Sequence, residues 1–329
     1  MTGYEKRAAV IGTVFVDCKG FADGPYAPTG RNLGSIRFVH GGVGRNVAEN
    51  MARMGIPTTF VSSVDDSALG REVIERLNDA SVDTRYVGQA ERNGMGMWLA
   101  ILDERGDLAG SISQMPDLRT MECIVAERGG EIVGESSHVL LELDLNASLS
   151  AAVLELAKLH GKPVYGLPGN MDVVLEKPEL LSRLACFICN HIEAERLIGQ
   201  PLMELTPERQ RDILGAFAKS LSLPMIVVTM GAQGCVYWSA DGEFGHQPAF
   251  PVQVKDSSGA GDAFFSGTVM GLMHGLKLQD AVVCGAKVAG WTIESPENNC
   301  RTLGRRLAED DIVNRLLPVR FRLEWAERV

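Results

Sequence analysis

Short runs of apolar and β-branched residues alternate along this chain with segments whose apolar residues recur every three to four positions. No other feature constrains its fold as much. The runs are AAVIGTVFV from Ala8, TTFVSSV from Thr58, SHVLLEL from Ser137, PVYGL from Pro163, ACFIC from Ala185 and PMIVVTM from Pro224. Runs this short and this continuously apolar read as strands buried on both faces. Helix-period segments lie between them at 44–54, 68–80, 149–160, 192–198 and 206–220. Strand alternating with helix implies an α/β fold with a mostly parallel central sheet flanked by helices.

Two stretches follow another rhythm. Residues 33–40 and 95–115 alternate apolar with polar, and the second folds back through Asp103-Glu104-Arg105-Gly106-Asp107, so both read as hairpin strands outside the main sheet. A further hairpin is expected after Gly234, with CVYWS turning at Ala240-Asp241-Gly242 toward Phe244. Long helices are expected over 260–274 and 278–293. With no Pro/Ser-rich linker and no internal repeat, the expectation is one α/β domain over 1–329, carrying a small β-sheet contributed by about 14–40 and 92–117.

Composition narrows the function. Thirty-two Lys plus Arg against forty-two Asp plus Glu leave a net charge of -10, a field that favours neither nucleic acid nor an anionic membrane. Lys6-Arg7 before the first apolar run mimics a signal peptide, but the run is short, lacks a small-residue cleavage site and ends at Asp17, so a first buried strand is the better reading. No stretch approaches the ~18 uninterrupted apolar residues of a membrane helix. Seven Cys form no even disulfide framework, which fits a cytoplasmic protein. Cys186-x-x-Cys189 resembles a metal knuckle, yet residues three apart on a strand point to opposite faces, so buried thiols are expected there.

Two glycine-rich turns carry the chemistry. Asp256-Ser257-Ser258-Gly259-Ala260-Gly261-Asp262 ends a β segment and opens a helix. Unpaired amides at a helix start, unobstructed by side chains, suit a phosphate. Asp262 would repel that anion, which makes sense for a base that takes a proton from an attacking hydroxyl. An ordinary acidic first-turn residue explains the pattern equally well on physics alone. The second turn, Gly41-Gly42-Val43-Gly44-Arg45-Asn46, also leads into a helix, and Asn46 offers a donor and an acceptor to a hydroxylated ligand. Its spacing fails G-x-G-x-x-G, and G-x-x-x-x-G-K-[ST] is absent from the sequence, so a Rossmann dehydrogenase and a P-loop NTPase are both disfavoured.

Together, GGVGRNVAENMARMG and DSSGAGDAFFSG resemble the two signatures of the ribokinase-like (PfkB-type) carbohydrate and nucleoside kinases. The early VIGTVFVD, the element Asn190-His191-Ile192-Glu193 and the turn Thr229-Met230-Gly231-Ala232-Gln233-Gly234 fall in the family's order. The resemblance implies a ribokinase-like layered fold with a small β-sheet lid, and ATP-dependent transfer of a phosphoryl group to a hydroxymethyl group. It makes Asp262 the base and Gly259, Ala260 and Gly261 the anion hole. It assigns Asp17, Gly41, Gly42 and Asn46 to substrate hydroxyls, and Asn190, Thr229, Gly231 and Gly234 to the nucleotide side. Glu193 would support Mg2+ through water, and Asp256 with the Ser258 carbonyl would hold a monovalent cation such as K+. An unperturbed carboxylate at Asp262, with a pKa near 3.9, would accept its proton late.

The lid strands would exclude water from the transfer, with Met95, Met97 and Met115 as an apolar wall or as packing. A lid edge is also open to pairing with a second copy. Within the family, residues 34–46, the helix start at Asn190 and Asn298-Asn299 look most like pseudouridine kinases, implying a C-nucleoside 5'-hydroxyl as acceptor. A ribokinase- or fructokinase-type sugar kinase, another nucleoside kinase and a non-catalytic nucleoside- or sugar-binding regulator are the alternatives. Two departures stand out: Leu167-Pro168 where relatives often have Asp-Pro, which bears on the acceptor, and Ser257 where Thr is common.

Overall fold

A computed structural model describes residues 6–90, 95–143, 145–169 and 171–318; positions 92–94 of the expected small sheet lie outside them. The first strand, β1 (Ala8–Ile11), stops at Gly12, and β2 (Phe15–Ala22) begins in a different sheet. The run AAVIGTVFV is therefore two strands rather than one. Its break has a steric cause. The first turn of the next helix crosses here, and a Cβ on Gly12 would stand 2.7 Å from the Gly44 Cα and 2.6 Å from a Glu142 oxygen.

The chain continues through β3 (Gly34–Gly41), α1 (Val43–Arg53), β4 (Thr58–Val64), α2 (Ala68–Asp79), β5 (Val82–Gln89), β6 (Gly96–Leu102), β7 (Leu108–Gln114) and α3 (Arg119–Glu135). Next come β8 (His138–Glu142), α4 (Ala147–Leu159), β9 (Val164–Leu167), α5 (Asp172–Glu176), β10 (Cys186–Asn190), α6 (His191–Ile198) and α7 (Pro207–Ser220). The last part holds β11 (Met225–Thr229), β12 (Cys235–Ser239), β13 (Phe244–Gln247), α8 (Ala260–Met273), α9 (Leu278–Ile293), α10 (Leu303–Glu309) and α11 (Asp311–Leu316). Helix starts follow local chemistry. Ser67, Asn146 and Thr206 cap α2, α4 and α7 with their side chains, and Pro207 opens α7 where no N–H is needed.

The main sheet runs β13-β12-β11-β10-β9-β8-β1-β4-β5, parallel from β11 to β5 with an antiparallel hairpin at the other edge. Its strands feed two cores, one on each face. Ala8, Val10, Cys186 and Ile188 pack on one side with α1, α8 and α9; Ala9, Ile11, Phe187 and Cys189 pack on the other with α3, α4 and α7. Fully buried Phe60, Phe187 and Phe265 contribute roughly 1.5–3 kcal/mol each through burial alone. Cys186 and Cys189 thus face opposite cores, as strand geometry requires, and burial pushes both thiols up.

The second sheet has the order β3-β2-β6-β7. Its register puts Phe38, Cys18, Leu99 and Ile112 in one row, with Ile36 beside it on the same face. That face looks outward: Ile36 is 70% exposed, Phe38 54%, Leu99 40% and Ile112 69%. The opposite face carries Asp17, Val39, Trp98 and Ser113 in one row and Lys19 and Arg37 in the next. Asp17 and Lys19 lie within electrostatic reach of Asp256, so this more polar face looks toward the start of α8.

Candidate functional site

From β1 the chain steps along the main sheet through β4 to β5. It returns to β8 and then steps the other way to β11. The reversal falls between β1 and β8, and in open α/β sheets the crevice outside the strand carboxyl ends at such a point is where ligands enter. Glu142, the last residue of β8, bridges it. Its oxygens accept from the Thr13 amide at 2.7 Å, the Thr13 hydroxyl at 2.8 Å and the Gly44 amide at 2.9 Å, fastening α1 to the ends of both strands. Gly42 starts that helix at φ +94°, and a Cβ there would stand 2.5 Å from the Thr13 carbonyl, so the turn admits only glycine.

Inside α1, Arg45 is completely buried. Its guanidinium donates to Glu49 Oε2 at 2.6 Å, to Asn299 Oδ1 at 2.8 Å, and to the His40 carbonyl and Asn46 Oδ1. With its oxygen held by Arg45, the Asn46 amide turns its nitrogen outward and donates to Asp262 Oδ2 at 2.7 Å. Expected to offer both donor and acceptor to a ligand, Asn46 has its acceptor engaged within the protein. Glu49 also accepts from Arg53 and Arg76, and Arg76 reaches Glu297 at 2.6 Å. Burial alone would raise the Glu49 pKa, but Arg45, Arg76 and Arg53 outweigh it and hold the group at about 2.

The start of α8 is built by a tight turn. Asp256 Oδ1 accepts from the Ser258 amide at 2.8 Å; partial burial pushes its carboxyl up, but that bond, the Ser258 side chain and the Lys19 charge together hold it below the ordinary range. Gly259 then takes φ +76°, with its α-carbon so close to the 295–300 segment that a Cβ would meet the Asn298 carbonyl at 2.2 Å. Of the three amides expected to form an anion hole, that of Ala260 already donates to the Ser257 carbonyl at 3.2 Å. The Ala263 amide returns to Gly259 at 2.9 Å. Between them lie the amides of Gly261 and Asp262, and around the Gly261 Cα there is open space. The Gly259 amide, expected in the same anion hole, likewise has no partner among the described residues, and Gly261 and Asp262 line the cleft at the free end of the helix dipole.

A cavity of about 200 Å³ opens in front of them. Asp262, Gly261, Asn190, Glu193 and Thr229 line it, with Leu167 and Pro168 forming an apolar wall. Asn190 and Glu193 cap α6 reciprocally: Asn190 Oδ1 accepts from the Glu193 amide at 3.0 Å, and Glu193 Oε2 from the Asn190 amide at 2.7 Å. Burial raises the Glu193 carboxyl despite those bonds. For Asp262 the same cause dominates. Burial raises it, the Asn46 bond pulls it back, the negative charges of Glu142 and Glu193 push it up and Arg45 opposes them, leaving it at about 7. The late proton acceptance expected of an unperturbed carboxylate is replaced by a group balanced near neutrality.

The other expected residues stand around this cavity rather than in its lining. Gly231 and Gly234, both at positive φ, form the turn that leads β11 into β12; a Cβ on Gly234 would strike the Gln247 carbonyl at 2.0 Å. Asp17 holds its carboxylate over Gly41, where a Cβ would come within 3.3 Å of Oδ1, and burial raises its pKa against the pull of Lys19 and Arg45. His40 faces Glu72 of α2 at 3.6 Å. Met95 is core, and Met115 is exposed. Two residues at the centre, Arg45 and Glu142, are given no role by the sequence, and Asn299 stands out there only through the resemblance to pseudouridine kinases. Asn299 donates to the Asn46 carbonyl at 3.0 Å and to Asn50 Oδ1 at 2.9 Å, while its neighbour Asn298 donates to the His40 carbonyl at 3.2 Å. Among the described residues, no three His, Cys, Asp or Glu side chains come together as a metal-ligating cluster, and no helix is long and apolar enough to cross a membrane.

Comparison with known proteins agrees with this architecture. A family model described as pfkB family carbohydrate kinase matches residues 5–300. The chain is 36% identical over 293 residues to guanosine-inosine kinase of Exiguobacterium acetylicum, covering 89% of this chain and 96% of the relative. It is 23% identical over 273 residues to pseudouridine kinase of Escherichia coli K12, covering 83% and 86%. The structure of Arabidopsis thaliana ribokinase complexed with ribose and ATP superposes with a TM-score of 0.76, at 22% identity and 98% coverage of both chains.

Proposed function

Given that this chain belongs to the pfkB family of carbohydrate kinases, and is therefore a phosphotransferase with an alcohol acceptor, we propose that it transfers the γ-phosphoryl group of ATP to the 5'-hydroxyl of a nucleoside. One observation carries the reading: the Asp262 carboxylate, balanced near pH 7 by burial and aimed by Asn46, shares a cavity with the unengaged amides at the start of α8. Phosphoryl transfer asks a protein to position two oxygens and to stabilise spreading negative charge. Asp262 accepts the acceptor's proton, and a base with a pKa near the working pH does so efficiently. The Gly261 and Asp262 amides stabilise the transferring group. Asp17, over Gly41, is the partner for the sugar's other hydroxyls.

The donor set at α6 fits a magnesium ion held through water, since Mg2+ keeps several waters and binds through one or two carboxylates plus phosphates. Glu193 Oε2 is committed to the cap, and the residue lines the cavity, so Oε1 is the oxygen left for such a contact. When bound, magnesium would neutralise phosphate charge. Asp256 and the Ser258 carbonyl are the proposed ligands of a monovalent cation beside the turn. The small sheet acts as a lid whose polar face covers the acceptor, within one α/β kinase domain. Its outward apolar face supports a second copy of this chain as occupant, because an apolar face with no charge in its central row complements itself across a two-fold axis.

The 36% relative makes guanosine or inosine the first acceptor to test, and the motif resemblance makes pseudouridine the second. The experiment is an ATP-consumption screen with inosine, guanosine, pseudouridine, uridine, ribose and fructose, with and without K+, against Asp262→Asn. Nucleoside-dependent turnover that falls by roughly 10² to 10⁴ in Asp262→Asn is expected. Turnover with free hexoses alone would replace the nucleoside reading. Nucleoside binding without any turnover would make the protein a sensor instead of a kinase.

A further inference from the structure

Resting on the nucleoside reading, we infer that Trp98 is the stacking platform for the acceptor's base and sets the preference for nucleosides over free sugars. Trp98 on β6 is the direct partner of Asp17 on β2, so their side chains leave the same face of the small sheet, one strand spacing or about 4.8 Å apart. That is the face turned toward the start of α8. A ribose held by Asp17 puts its C1' substituent about one furanose ring away from the hydroxyls, over a residue beside Asp17 on this face.

Few residues compete for that place. Beside Asp17 stand Val39 on β3 and Trp98 on β6, with Ser113 beyond Trp98 and Lys19 and Phe15 two residues away along β2. The Asp17 carboxylate leans toward β3, over Gly41. On the β6 side Phe15 lies over Gly96, where a Cβ would strike its ring at 2.7 Å, so the surface before Trp98 is an aromatic floor. Trp98 is half-buried and belongs to neither hydrophobic core, although an indole of that size is normally recruited into one. By contrast Trp238 is packed in one core and Trp291 against the other. Indole stacks on any base and carries one N–H donor, so it gains more from a flat purine or pyrimidine than from a sugar ring that carries no base.

The test pairs a kinetic ratio with a signal that needs no catalysis. In Trp98→Ala, kcat/KM for inosine relative to ribose should fall by about 10- to 100-fold, the scale of lost base stacking, mostly through KM. Trp98→Phe should restore most of it. Intrinsic fluorescence of the unmodified protein should be quenched by inosine and not by ribose, and the quench should vanish in Trp98→Ala. Equal losses for inosine and ribose, or a quench that persists in Trp98→Ala, would overturn the assignment. Because the fluorescence arm reads binding, failure of the phosphoryl-transfer reading shows separately, as absent turnover with an intact Trp98-dependent quench.

Discussion

Asp262 sits near neutrality because burial and the charges of Glu142 and Glu193 favour its protonated form, while one Asn46 hydrogen bond and the distant Arg45 charge favour the ionised one. A base must be ionised to act, so kcat/KM should rise with pH through about 7. Removing the Asn46 bond takes away a charge-assisted interaction worth ~1.5 kcal/mol or more. Asn46→Ala should therefore shift the acidic limb of the pH–rate profile upward by about one unit, and an unmoved limb would count against the coupling. Asp262→Asn keeps the shape without the base and should lower kcat by roughly 10² to 10⁴ while changing KM less. Much of this centre can be read from the chain itself. Each glycine turn alone reads equally well as an ordinary helix start, and only the two together, in their order along the chain, resemble the family's signatures. Arg45 is also in plain view, yet its role is hidden: a charged residue in a helix reads as surface, and the partner that buries it, Asn299, lies 254 positions away.

At the level of elements, α1 is held by charge as much as by packing. Glu49 gathers Arg45, Arg53 and Arg76, joining α1 to α2 and, through Glu297, to the 295–300 segment. Its carboxyl is depressed from 4.5 to about 2. A group depressed in this direction contributes stability that is complete above about pH 5 and lost as pH falls toward 2, here about 3 kcal/mol. Glu49→Gln should lower the denaturation midpoint at pH 7 and flatten the acid side of the stability profile. If urea titrations at pH 7 and pH 3 gave the same difference between variant and parent, the network would not be the source. The helices and strands missed in the sequence are instructive here. Helix α3 hides its period behind Gly129, which is small because Leu156 of α4 packs there, a Cβ meeting its methyl at 2.6 Å. Strand β5, VDTRYVGQ, lies at the sheet edge and is too polar to look buried. Periodicity does not show the β1–β2 break, because both halves are apolar and only the crossing of α1 divides them; the start of the small sheet near residue 14 comes from the family resemblance alone.

For the molecule as a whole, the second sheet turns its apolar side away from the main body, the reverse of what a solitary subunit needs. Sedimentation should find two-copy particles at micromolar concentration. Leu99→Glu or Ile112→Glu, placed in the middle of that face, should yield single copies. A parent protein that sediments as one copy would remove the pairing. Another consequence reaches across the entire chain. Asn298 and Asn299 touch the first glycine turn and its helix through side chains, while the Asn298 backbone abuts Gly259 in the second. Two stretches more than two hundred positions apart are thus keyed by a dipeptide that follows both of them along the chain. A nascent or refolding polypeptide can assemble its pleated framework early and still be inert, so regained turnover should lag behind regained circular dichroism until that last latch drops.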